Sequence, residues 1–181
     1  MLLVIDPSLT HLGAILVEEG SKAPTAHAFV STDPVKDERA FSSDAVRLLE
    51  IVTTLDGHFR ERRREIERVI LEVPAFSRSM QTARKLDKLS AGLQIWAWCR
   101  TGKVAQLVQP HEAKRALTGD RDADKKQMIR AAEEKGLWMP PRLAYPQSDR
   151  SRKDREAVAD CWGILFAAGF PIVEEAPCAS T

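Results

Sequence analysis

The sequence predicts an α/β fold built on a mixed five-stranded sheet, and three observations predict it. Residues 2–18, "LLVIDPSLTHLGAILVE", hold two short apolar runs around a Pro-Ser turn, the pattern of an antiparallel hairpin. Two later apolar runs, at 68–74 and 104–108, are each reached through a long segment with apolar residues at helical spacing. Strands joined by helical crossovers are parallel, so an antiparallel meander followed by crossovers gives a mixed sheet.

The elements follow in order. Leu2–Asp6 and Gly13–Val17 form the hairpin, and "AHAFVS" at Ala26–Ser31 adds a third strand. "STDPVKDE" is a loop. From Ser43 to Glu67, Val46, Leu48, Leu49, Val52, Leu55 and Phe59 recur at helical spacing, and "RERRRE" falls in the last turns, where a helix favours basic residues. "RVILEVP" is a strand that ends in Glu72 and a proline. A second long helix covers 79–101, with Leu89, Leu93 and Trp96 on one face. Val104–Val108 is a buried strand, and Pro110 stands at the start of a short helix over 111–117. A third helix covers 123–135. The proline-containing "MPPRLAYPQSDRSR" is a loop, and a last helix runs from Asp154 to Gly169.

Composition bounds the functional classes. A chain of 181 residues suits one well-cored domain spanning 1–181. No apolar stretch approaches membrane-spanning length, and the N-terminus has no basic region or cleavage-like site. The three cysteines lack CxxC spacing, so neither a disulfide framework nor a zinc site is expected and a cytoplasmic location is. The net charge of +1 hides an asymmetry: residues 1–60 sum to −4 and residues 76–130 to +7. A basic middle of this kind suits either a polyanion-binding face or a solvated helical surface.

Acidic residues stand in unusual places. Asp6 ends the first strand and Glu72 the fourth, and open α/β sheets carry their sites at the carboxyl ends of strands. Asp160 interrupts the apolar run of the last helix, where an unpaired charge is costly. Glu156 precedes it by four residues, ~40° away on the same face, whereas Asp154 lies roughly 120° away. Taken singly, Asp6 suits a turn, Glu72 a strand end and Glu156 a solvated helix. Together, on convergent elements, they favour a divalent-cation site, because a hard cation removes the repulsion among clustered carboxylates. Two such cations form an arrangement that cleaves phosphodiesters.

The residues IDPS, the ILE ending at Glu72, "PHEAKRALTGDRDADKKQM" at Pro110–Met128 and the Ala-Asp pair ending at Asp160 together resemble the RuvC-type Holliday-junction resolvases, which are RNase H-like nucleases. The most specific match is Ala113-Lys114, Leu117, Gly119 and Ala123 through Met128. "ARKLDKLSAG" at 83–92 resembles a further family segment. The resemblance spans residues 2–166. It implies a homodimeric endonuclease with two Mg²⁺ or Mn²⁺ ions per active site, acting on four-way or branched DNA, with a branch-migration helicase as a further partner and no membrane. Asp6, Glu72 and Asp160 take the place of the family's metal ligands. Lys114 and Lys125 match lysines that contact the scissile region, where a lysine can neutralise developing charge.

Two positions depart from the family pattern. Ala157 stands where a second acid or a histidine is usual, and Glu156 is the expected replacement ligand through its i,i+4 relation to Asp160. Ala75 stands where an aromatic wedge is usual, with Phe76 beside it. Arg78, Arg84, Lys85 and Lys88 follow as expected phosphate contacts at the start of the second long helix. The alternatives are a broader nuclease for branched or flapped DNA, an actin-like phosphotransferase suggested by the opening hairpin, and a DNA-binding module without chemistry.

Overall fold

In the computed structural model, which describes residues 1–8, 10–32, 43–73, 79–141 and 148–170, the opening apolar run is the central strand β1 (Leu2–Asp6). Its side chains alternate between two cores because successive strand residues point to opposite faces. Leu2 and Val4 enter one core with Ile15, Ile70 and Val108. Leu3 and Ile5 enter the other with Leu12, Leu16 and Leu71. Burial of each such large aliphatic side chain contributes roughly 1.5–3 kcal/mol, which makes the middle of the sheet a rigid base for what stands at its ends.

β2 (His11–Val17) pairs antiparallel with β1, and β3 (Pro24–Ser31) pairs antiparallel with β2. β4 (Arg68–Glu72) lies parallel to β1 on its other side, and β5 (Ala105–Val108) lies parallel to β4. The order across the sheet is β3-β2-β1-β4-β5. Helices α1 (Ser43–Phe59) and α2 (Met80–Thr101) cover the Leu3 and Ile5 face, with Ile51, Leu55, Phe59, Leu89 and Leu93 in that core. Helices α3 (Pro110–Thr118), α4 (Lys125–Glu134) and α5 (Ser148–Ala167) cover the other face through Ala113, Leu117, Met128, Val158 and Trp162. The fully buried Trp162 donates its indole N–H to the Trp138 carbonyl at 3.0 Å. No helix among the described residues is long and apolar enough to cross a membrane.

Three elements differ from the sequence expectation. The first helix ends at Phe59, not Glu67, and "RERRRE" forms a turn and a 3-10 segment at Arg63–Glu65. The chain must reverse there to bring Arg68 into register with Leu2, and Ile66 is buried on the way. The last helix starts at Ser148 rather than Asp154. Arg152 and Lys153 reach back to Asp149 at 2.7 and 3.3 Å, and these i,i+3 and i,i+4 pairs support the added turns. β5 is an edge strand, so only Ala105 and Val108 are buried while Gln106 and Leu107 face outward.

Candidate active site

Strand alternation and register bring the first two acids together. Ile5 pairs with Leu71 across the parallel β1–β4 ladder, so Asp6 and Glu72 follow side by side at the carboxyl ends. Both continue the series that faces α5: Leu2, Val4 and Asp6 on β1, Ile70 and Glu72 on β4.

Small residues bring α5 down to meet them. Gly13 is the cross-strand partner of Asp6, and a Cβ added to Gly13 would lie 2.6 Å from the Ala157 Cβ. No side chain at position 13 fits without displacing the helix. Nearly two turns further on, at Gly163, the Ala113 carbonyl of α3 comes within 2.8 Å of where a Cβ on that glycine would lie. Held at these two points, α5 places Asp160 at 6% exposure beside Asp6, close enough for the two carboxyl groups to share a hydrogen bond.

The lysine-bearing stretch is organised by helix capping. Pro110 opens α3, and Gln109 and Glu112 form a capping box with Gln109 N donating to Glu112 Oε2 at 3.0 Å. Gly119 closes the helix at φ +84°, a conformation only glycine adopts freely. A second box follows: Gln127 N donates to Asp124 Oδ1 at 2.9 Å, and Asp124 N donates to Gln127 Oε1 at 2.7 Å. The Asp-Lys-Lys-Gln sequence thereby fixes Lys125 as the first residue of α4. From there its ammonium forms an ion pair with Asp160, 35 residues away in the chain. Lys114 in α3 is half-buried and acts electrostatically on both Glu72 and Asp160.

Burial and mutual repulsion dominate the electrostatics. Burial, then the charges of Asp160 and Glu72, hold Asp6 well above the usual carboxylate range. Burial and Asp160 push Glu72 from 4.5 to about 7, against the opposing pull of Lys125 and Lys114. Burial also raises Asp160, although Lys125 works against it. Burial alone would lower Lys125, but Asp160, Asp6 and Glu72 outweigh it and raise the ammonium above its ordinary value. A cluster of carboxylates whose charged forms are this disfavoured calls for positive charge.

A cleft of about 300 Å³ opens over the cluster, and Asp6, Asp160, Glu156, Lys125 and Ala157 line it. Glu156 stands one helical turn from Asp160 and raises its pKa, and Arg152 lies 3.9 Å from the Glu156 carboxylate. Among the described residues no three metal-ligating side chains form a ready-made shell. The cation among the carboxylates is the Lys125 ammonium. The donor set itself, oxygen from Asp6, Glu72, Asp160 and Glu156 with no thiolate, fits a hard divalent cation.

The remaining expected contacts divide. Arg84, Lys85 and Lys88 are exposed along the first turns of α2, and Lys85 lies 3.6 Å from Asp44. Phe76 and Arg78 lie outside the described residues. Sequence reasoning missed four further residues of the cleft. Ser8, Thr10 and His11 line it from the β1–β2 hairpin, and Lys153 lines it from α5. His11 Nδ1 lies 2.8 Å from Ser31 Oγ, and its Nε2 lies 2.9 Å from Asp154 Oδ1 without hydrogen-bond alignment. The hairpin register carried the clue, since Gly13 pairs with Asp6 and His11 stands two residues from Gly13 along β2, just past the end of β1.

No family model matches the chain. It is 31% identical over 162 residues to the crossover junction endodeoxyribonuclease RuvC of Corynebacterium diphtheriae, covering 87% of this chain and 91% of that protein. It is 30% identical over 162 residues to the RuvC of Corynebacterium glutamicum, covering 87% of this chain and 67% of that one. Among solved structures, T. thermophilus RuvC in complex with Holliday junction substrate superposes with a TM-score of 0.67 at 22% identity, covering 93% of this chain and 92% of the other. The fold is RNase H-like.

Proposed function

The chain belongs to the RuvC family of crossover junction endodeoxyribonucleases, and from that premise we propose that it resolves four-way DNA junctions by nicking two opposing strands symmetrically. The observation that carries this reading is the convergence of Asp6, Glu72 and Asp160 from β1, β4 and α5 into one electrostatically linked carboxylate cluster, of which Asp6 and Asp160 line the cleft. Two Mg²⁺ or Mn²⁺ ions per site complete the proposal, held by Asp6, Glu72 and Asp160 with Glu156 in place of the ligand that Ala157 cannot supply. Divalent cations held there would supply water activation and stabilisation of the leaving 3′ oxygen.

The protein's own groups do the rest. Asp6, on the central strand and flanked by β2 and β4, is held in place by strand pairing on both sides and would be a fixed ligand to the cations. Lys114 and Lys125 offer ammonium groups to the attacked phosphate, where preorganised positive charge lowers the barrier as negative charge develops. Arg84, Lys85 and Lys88, with Arg78 before them, bind phosphates flanking the crossover irrespective of sequence. Phe76 is the proposed wedge at the crossover.

A two-fold substrate suits a homodimer, since each protomer then addresses one of two symmetric strands. The exposed Ile95 and Trp98 on α2 form the face proposed for that contact. A branch-migration helicase is the proposed further partner.

The test is cleavage of a synthetic four-way junction in Mg²⁺ or Mn²⁺ by the wild type and by Asp6→Asn. Paired symmetric nicks that the substitution abolishes are expected. Equal cutting of flaps and forks would replace junction resolution with a broader branched-DNA activity. Junction binding without cutting in either metal would leave only a binding module.

A further inference from the structure

Beside the catalytic cleft lies a second cavity of about 580 Å³ that the proposed chemistry does not use. The two share a wall, because His11 and Lys153 line both. The second cavity runs around the end of the sheet between the start of α5 and the outer face of α1, where Glu50 and Thr54 stand. Its volume falls within the ~300–1,000 Å³ typical of small-ligand sites.

Its chemistry differs from that of a phosphate track. Two cations, Arg150 and Lys153, are balanced by two carboxylates, Glu50 and Asp149. Asp149 is already paired with Lys153 at 3.3 Å and with Arg152 at 2.7 Å. Glu50 and Arg150 form no ion pair among the described residues. A near-neutral lining repels a polyanionic backbone more than a uniformly basic groove would, but it suits a neutral occupant with hydrogen-bonding edges. The apolar wall is Phe29, whose ring stacks on His11 with centroids 6.2 Å apart and planes 8° from parallel. Thr54 donates its hydroxyl to the Glu50 carbonyl at 2.8 Å, which leaves the oxygen lone pairs as acceptors beside the Glu50 carboxylate.

We propose that this cavity receives the base of a nucleotide flanking the nicked phosphate and sets the nicking-sequence preference of the enzyme. The inference rests on the junction-nicking reading and deepens it. The phosphodiester between that nucleotide and the scissile position passes the shared wall, where Lys153 offers an ammonium. The base lies against the Phe29 and His11 rings, and Glu50 and Thr54 accept from its exocyclic amino group, as carboxylates and hydroxyls do when they read base edges. Taking a base out of the stack costs least where pairing is already interrupted, as it is at a crossover.

The experiment uses four-way junctions randomised at the nucleotides around the crossover, nicked in Mn²⁺ by the full-length wild type, Glu50→Gln and Thr54→Val, with the cut ends sequenced. The wild type should favour an amino-bearing base at one flanking position by about tenfold or more. Each variant should lower that ratio several-fold, with the other positions unchanged relative to one another. A preference that neither variant alters, or the absence of any preference in the wild type, would overturn the proposal and leave the junction-nicking reading intact. Variants that slow every sequence by one common factor would make the groove a backbone contact and also overturn it. A wild type that neither binds nor nicks any junction would instead remove the underlying reading.

Discussion

Raising the pH of the metal-free protein should destabilise it, and the carboxylate cluster sets how much. Glu72 moves from an ordinary value of 4.5 to about 7 in the folded state. Between those values the folded state holds a proton that the unfolded state has released, so stability falls as pH rises. This contribution is fully present below 4.5 and lost above about 7. At ~1.4 kcal/mol for each pH unit between the two values, the loss from Glu72 alone is about 3 kcal/mol. For a chain of this size that corresponds to a drop in Tm of roughly 10 °C. Asp6 and Asp160 shift in the same direction and add to the effect. The assay is chemical or thermal unfolding in EDTA from pH 4.5 to 8, repeated with Mg²⁺ and with Glu72→Gln. Glu72→Gln should match the wild type at pH 4.5 and exceed it at pH 8, and Mg²⁺ should flatten the wild-type profile. Stability of the metal-free wild type that holds level or rises over this range would refute the electrostatic argument.

Other perturbations test separate parts of the account. Gly13→Ala places a Cβ 2.6 Å from the Ala157 Cβ, so it should cost about 1–3 kcal/mol by overpacking and lower nicking by shifting Asp160; unfolding within experimental error of wild type would show that α5 yields freely. Glu156→Gln should weaken Mn²⁺ binding in calorimetry and raise the metal concentration needed for nicking, and an unchanged metal dependence would remove Glu156 from the ligand set. Lys125→Met takes away the ammonium that competes for the carboxylates, so it should tighten Mn²⁺ binding while slowing nicking by roughly 10²–10³-fold; tighter binding without slower nicking would confine Lys125 to a structural role.

The parts of the site that local sequence pattern dictates could be read from the sequence. Asp6 and Glu72 stood out because each ends an apolar run, and strand alternation then decides which face they take. Asp160 stood out because a charge inside an apolar helix needs a partner. What could not be read depends on approach in three dimensions. Nothing local to Gly13 or Ala157 says that they touch, yet their contact sets the depth of Asp160. The reach of Lys125 to Asp160 depends on a capping box that fixes the start of α4, and the sequence showed the motif without showing where it points. The charged residues of 148–153 resembled a loop because they follow three prolines, but pairs one turn apart make them helical. "RERRRE" misled in the opposite direction, since the register of β4 overrode its helical propensity.

The central claim is that the carboxylate cluster of Asp6, Glu72 and Asp160 holds divalent cations, and anomalous diffraction from crystals soaked in Mn²⁺ tests it most directly. The account predicts a strong peak between those three carboxylates, a second one toward Glu156, and the Lys125 ammonium withdrawn from Asp160. Mn²⁺ bound only elsewhere, with Lys125 still paired to Asp160 at saturating metal, would contradict it.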